Sequence, residues 1–174
     1  MKKLLPLLAA LAVPAQAQDA DLYYASDAWP VHRANGACAM ERIGQPDSGF
    51  GQLAVEYDAA RDLVMLSTSA PVESGLPASG AVDFEIVFLD NGDVKHDDTW
   101  FSRKFAYTSE DGVYRFTTAF SGERNVRQVL ADLANSRRLG FLRDGEVLFD
   151  HDLAGARESL NRLRTCATAT VASR

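Results

Sequence analysis

This chain has no apolar run long enough to span a bilayer, no surplus of basic charge, no Cys-x-x-Cys and only three histidines. Each shortage excludes something. A membrane helix needs about 20 consecutive apolar residues, so no segment is expected to cross a membrane. Lys and Arg number 18 against 24 Asp and Glu. Without a basic patch there is no counterion release to drive binding to nucleic acid or to an anionic lipid surface. The two cysteines have no zinc-type spacing and no histidine nearby in sequence, so neither a metal set nor an activated thiol is legible. Nucleophile motifs and phosphate-cradling glycine loops are missing too. No catalytic residue, metal or cofactor is expected.

What is present begins at the N-terminus. In "MKKLLPLLAALAVPAQAQDA" two lysines precede an apolar run over 4–13, and Ala15-Gln16-Ala17 places small residues where a signal peptidase reads. Residues 1–17 are read as a secretory signal peptide cleaved between Ala17 and Gln18. The run is about half of a spanning length, and no cysteine follows the cleavage point to take a lipid. Cleavage removes Lys2 and Lys3 and no acids, leaving 16 basic residues against 24 acidic ones, a net charge of −8. The 174 − 17 = 157 residues that remain suffice for one domain with a buried core.

Export would place Cys38 and Cys166 in an oxidising compartment, where an isolated pair is expected to form a disulfide. It would join the start of the mature chain to its end. The expected products are a periplasmic or secreted location and a covalent staple rather than a redox centre.

Residues 18–28, acidic and aperiodic, are expected to form a loosely packed leader, followed by a single β-rich domain over 29–167 and a disordered tail over 168–174. Asn35-Gly36 signals a turn between two short strands, with Cys38 and Met40 inward. Leu53, Val55 and Tyr57 alternate with polar residues, and a turn over 59–62 leads to a second apolar strand. The stretch "APVESGLPASGA" over 70–81 is a loop. Val82, Phe84, Ile86 and Phe88 line one face of the strongest strand. Two further strands flank a Glu-Asp-Gly turn, with Tyr114, Phe116 and Phe120 inward.

The period then changes. Val126, Val129, Leu130 and Leu133 stand at i, i+3, i+4 and i+7, the stripe of an amphipathic helix. Ser121 or Asn125 can cap it, the latter with Gln128 in a capping box. A hairpin across Asp144-Gly145 follows. A last helix carries Ala156, Leu160, Leu163 and Ala167 as its seam, with Cys166 beside it. The fold class is α+β: mainly antiparallel sheet, as a sandwich or a partly open barrel, with two short helices in the C-terminal third.

From residue 122 onward the layout resembles the invasion-associated locus B family of secreted bacterial proteins, and uncharacterised envelope proteins with a similar ending. The likeness lies in a short helix, a hairpin ending "LFDHDLAG" and the amphipathic "ARESLNRLRTC". Such proteins often carry more cysteines than two. The resemblance implies a non-enzymatic role in the envelope or outside the cell and transfers no functional residue.

One polar stretch, "FLDNGDVKHDDTW" over 88–100, offers chemistry. A three-residue loop Asp90-Asn91-Gly92, with Gly92 in the left-handed position, would pair Phe88 with Val94, Ile86 with His96, Phe84 with Asp98 and Val82 with Trp100. Most of the acids would then face solvent. His96 and Asp98, flanked by Trp100, would remain on the inner face as an imidazole–carboxylate couple or as a polar rim of the core. The remaining polar candidates read as solvated: His32 before a turn, and His151 between Asp150 and Asp152. Arg137 and Arg138 are expected to leave the first helix at its negative end.

The balance favours a secreted or periplasmic, non-catalytic binding or structural module with an unknown envelope or protein partner. Two alternatives stand beside it. One is a hydrolase or metal enzyme centred on His96 and Asp98. The other is a periplasmic inhibitor of a cell-wall lytic enzyme that projects the 70–81 loop.

Overall fold

A computed structural model describes residues 21–34, 37–42, 51–70, 76–89, 99–110 and 112–172. The elements are β1 (Asp21–Tyr24), β2 (Val31–Ala34), β3 (Ala37–Glu41), β4 (Leu53–Asp58), β5 (Leu63–Ala70), β6 (Ser79–Leu89), β7 (Thr99–Glu110), β8 (Val113–Ser121), α1 (Glu123–Asn135), β9 (Arg138–Arg143), β10 (Glu146–Asp152) and α2 (Ala156–Ala172). The strands form one antiparallel sheet in the order β1-β2-β3-β4-β5-β8-β7-β6-β9-β10, with β1 and β10 as its two edges. Mainly antiparallel sheet with two C-terminal helices is therefore the architecture. Among the described residues no helix is long and apolar enough to cross a membrane.

Period-two alternation makes the core. Val82, Phe84, Ile86 and Phe88 of β6, Leu53 and Val55 of β4, and Tyr114, Phe116 and Phe120 of β8 are all buried on one face. Phe84 stands at the centre, its ring centroid 5.4 Å from Phe105, 5.2 Å from Phe116, 6.3 Å from Phe141 and 5.9 Å from Phe149, all edge-on. Edge-to-face packing suits the ring quadrupole and adds to the area term. The α1 stripe is buried as its spacing predicts, at Val126, Val129, Leu130 and Leu133.

The sheet coils over itself without closing. Both edges of β5 are occupied, by β4 on one side and β8 on the other. Among the described residues strand β10 pairs only with β9, and β5 has no free ladder for it to join. It nevertheless reaches β5 through side chains, with Thr68 Oγ1 and His151 Nε2 2.7 Å apart.

Helix α2 is pinned beneath β3. Cys38 and Cys166 are both fully buried, with their Cα atoms 6.1 Å apart and their sulfurs at disulfide-bond distance, 1.98 Å. That Cα separation lies in the usual range for a bridge. Tyr24 of β1 packs under the Arg162 guanidinium of α2, 5.2 Å from its centre.

Four local expectations are corrected. The leader is structured from Asp21, as β1 paired with β2. The tail continues α2 through Ala172, because Thr170 extends the buried seam and donates to the Cys166 carbonyl at 2.9 Å. Neither Ser121 nor Asn125 caps α1 through its side chain. Gly122, at φ 84, holds the N-cap position, and the Asn125 amide donates to the Ser121 carbonyl at 3.0 Å.

The fourth correction is the β6–β7 register. Val82 faces Phe105, Phe84 faces Arg103 and Ile86 faces Trp100, with an irregularity between Glu85 and Ile86. The tight-loop register would have turned Ser102 and Lys104 inward and Phe105 and Tyr107 outward. Phe105 and Tyr107 are instead buried. Beside the loop the pairing keeps the expected parity but lies four residues along, Ile86 against Trp100, and the irregularity beyond it changes the parity so that Phe105 and Tyr107 turn inward.

Candidate functional site

His96 and Asp98 lie outside the described residues. Ile86 and Phe84, the residues expected opposite them, face Trp100 and Arg103. Trp100 stands in β7 opposite Ile86, and its side chain lies outside the description. Ala17 and Gln18 lie outside it as well. Cys38 and Cys166 are brought together as described above.

The structure gathers polar groups at two other places. The first is a trough of about 630 Å³ on the outer face of β2, β3 and β4, lined by His32, Glu41, Glu56, Asp58 and Arg61, with Ala39 and Ala54 among the residues of its floor. Register explains the shape. His32 faces Ala39, Ala39 faces Glu56, and Glu41 faces Ala54 across adjacent strands. Each alanine thus leaves a gap beside a long polar side chain. Two strand spacings put the backbones of His32 and Glu56 roughly 10 Å apart, enough for a small group to settle on Ala39 between them.

The trough is anionic on balance. Three carboxylates meet one guanidinium, and Arg61 is already held by Asp58 at 3.3 Å. Glu56 is half-buried, and that desolvation raises its pKa above the ordinary value. Asp58 raises it further, while Arg61 pulls it down. A cation entering the trough would favour the ionised form of Glu56 and offset part of its desolvation through charge-assisted bonding there.

The second place is the seam where β10 lies over β5 and the end of β3. His151 is only 5% exposed, against the solvated side chain expected of it. Its ring meets Phe141 and Phe149 edge-on, at 5.9 and 6.1 Å. Burial lowers its pKa from 6.5 to about 4; Asp150 pulls the value up and Arg42 pushes it down. Just beyond it, Arg42 donates to the Asp152 carbonyl at 2.8 Å and to the Asp152 carboxylate at 3.0 Å. Trp29, fully buried, donates from Nε1 to the Ala154 carbonyl at 3.0 Å.

The signal for the inward His151 was in the sequence. Phe149 and His151 are two apart in one strand and so share a face. The flanking aspartates point the other way, and Asp150 is bound there by Arg138 at 2.6 Å. Arg138 therefore begins β9 as an ion-pair partner rather than ending a helix. The trough had no comparable signal, because its alanines become a floor only once three strands are set in register.

Among the described residues, no group of three or more His, Cys, Asp or Glu has metal-holding geometry. No family model, curated protein or solved structure matches this chain, so both places are read from their own geometry.

Proposed function

We propose that this chain is an exported, non-catalytic binding module of the cell envelope, and that its β2–β4 trough receives a cationic group from an envelope or protein partner. The trough carries the proposal. A half-buried carboxylate at Glu56, with Glu41 and Asp58 beside it, surrounds an alanine floor that leaves room for an aliphatic amine. Export is supported by the N-terminal "MKKLLPLLAALAVPAQA" and by a buried cysteine pair at disulfide distance, which suits an oxidising compartment. The acidic surplus of the chain works against polyanionic partners and in favour of cationic ones.

Calorimetric titration of the oxidised protein with tetralysine, and with the same peptide fully acetylated, tests this reading. Tetralysine is expected to bind and the acetylated peptide to give no heat. Glu56→Gln should weaken the binding by about tenfold, the equivalent of 1.4 kcal/mol. Equal heats for the two peptides, or binding unchanged in Glu56→Gln, would overturn it.

A further inference from the structure

We propose that His151 and Thr68 form an acid-released latch: protonation of the imidazole frees the β10 edge from β5 and opens the aromatic interior at that seam. Topology carries the inference. Because both ladders of β5 are taken, no backbone hydrogen bond can hold β10 against it. Phe149 on the inner face of β10 packs against Phe84 and Phe116 of the neighbouring strands, and the polar tie of that face to β5 is the hydrogen bond of one titratable side chain to one hydroxyl, 2.7 Å long. The two residues are 83 positions apart in the chain. The neighbouring clasps, from Arg42 to Asp152 and from Trp29 to Ala154, hold the last residue of β10 and the chain just past it rather than its inner face.

The surroundings oppose a charged ring. From β5 the ring meets the neutral Thr68, and from β9 and β10 it meets Phe141 and Phe149. Among the described residues the flanking anions are Asp150, which acts on the ring, and Asp152, both on its own strand. Each already has a cation, Arg138 for the first and Arg42 for the second. Arg42 itself disfavours imidazolium. A hydroxyl can accept as well as donate, so protonation does not break the Thr68 bond by its chemistry. It strands a positive charge among rings in a low-dielectric space, and the ring escapes by taking β10 outward.

The bulge at Leu148, where the β9–β10 register slips, already weakens that strand's hold on its neighbour. Release would bare Phe149 while α2 stays fixed by the Cys38–Cys166 bridge. This is a local opening, distinct from unfolding.

Hydrogen–deuterium exchange on the oxidised full chain, corrected for intrinsic rates, reads the latch directly. Between pH 7 and pH 4 the peptide spanning β10 is expected to exchange at least about tenfold faster, with α2 unchanged. The His151 Hε1 resonance should titrate with the same midpoint, a measurement on the wild type that does not depend on any variant folding. His151→Gln, which keeps a hydrogen-bonding group near Thr68 but cannot titrate, should remove the acid step. Asp152→Asn should retain it, which separates the imidazole from the carboxylates. An acid step of equal size in His151→Gln, a resonance midpoint that does not coincide, or simultaneous loss of protection in α2 would each overturn the latch.

Discussion

Arg42 Nη2 lies 3.0 Å from Asp152 Oδ2, and Nη1 of the same guanidinium donates to the Asp152 carbonyl at 2.8 Å while the group sits 5.7 Å over the Trp29 ring. These residues are 110 positions apart. One side chain thus ties the end of β3 to the end of β10 and covers the buried indole. The carboxylate is about half exposed, so the ion pair itself adds little. The carbonyl bond and the stacking matter more.

Arg42→Ala is therefore expected to lower unfolding stability by about 1–3 kcal/mol. Arg42→Lys should recover only a minor part, because an ammonium lacks the planar fork. Urea denaturation at neutral pH separates the two. Equal stability for the Lys variant and the wild type would show that charge alone suffices.

The bridge between Cys38 and Cys166 closes a loop with a sequence separation of 128. In the chain-entropy treatment a loop of that size is worth about 5 kcal/mol. Replacing both cysteines by alanine should remove most of that, and reduction of the wild type should match the double variant. Because both sulfurs are fully buried, a reductant should act slowly until denaturant is added. Free thiol assays with and without urea check the order of events.

Phe84 touches four other aromatic rings and is 3% exposed. Phe84→Ala should cost about 3–5 kcal/mol, since so many rigid neighbours cannot all collapse into the cavity. Phe84→Leu should lose roughly half as much, with most of the apolar volume kept. Thermal unfolding of the two variants gives the ranking.

Elements with a strong local period were legible in the sequence, and relations between elements were not. The α1 stripe, the inward faces of β4, β6 and β8, the Asp144-Gly145 turn and the cysteine pairing follow from spacing of 3.6 or 2 or from chemistry that any fold would have to honour. Asp144 and Gly145 take φ of 54 and 81, as a tight hairpin requires. The β6–β7 register went the other way. Ile86 faces Trp100, four residues from its expected partner, and an irregularity beyond that pair turns Phe105 and Tyr107 inward; a local turn signal carries neither fact. His151 was hidden for a related reason. Its charged neighbours suggested a wet strand end, yet they face outward, and the strand that buries it is 83 residues away. The trough depends on three strands at once and leaves no mark in any single segment.

The same burial gives the stability a defined pH dependence. His151 has its pKa lowered to about 4 by desolvation, while the unfolded chain returns it to the ordinary 6.5. Below 6.5 the unfolded state takes up a proton that the folded state refuses, so folding is penalised progressively as the pH falls. The contribution is complete above pH 6.5 and is lost by pH 4, with a size on the order of 3 kcal/mol. Thr68→Val tests the other half of the pair. It leaves Nε2 buried without a partner and should cost about 1–3 kcal/mol at pH 7. Denaturation curves across pH 7 to 4 should show a wild-type slope that His151→Gln flattens. Thr68→Val should instead shift the curve down while keeping the slope, because desolvation and not the hydroxyl sets the imidazole pKa. A slope that survives in His151→Gln would assign the acid sensitivity to the carboxylates.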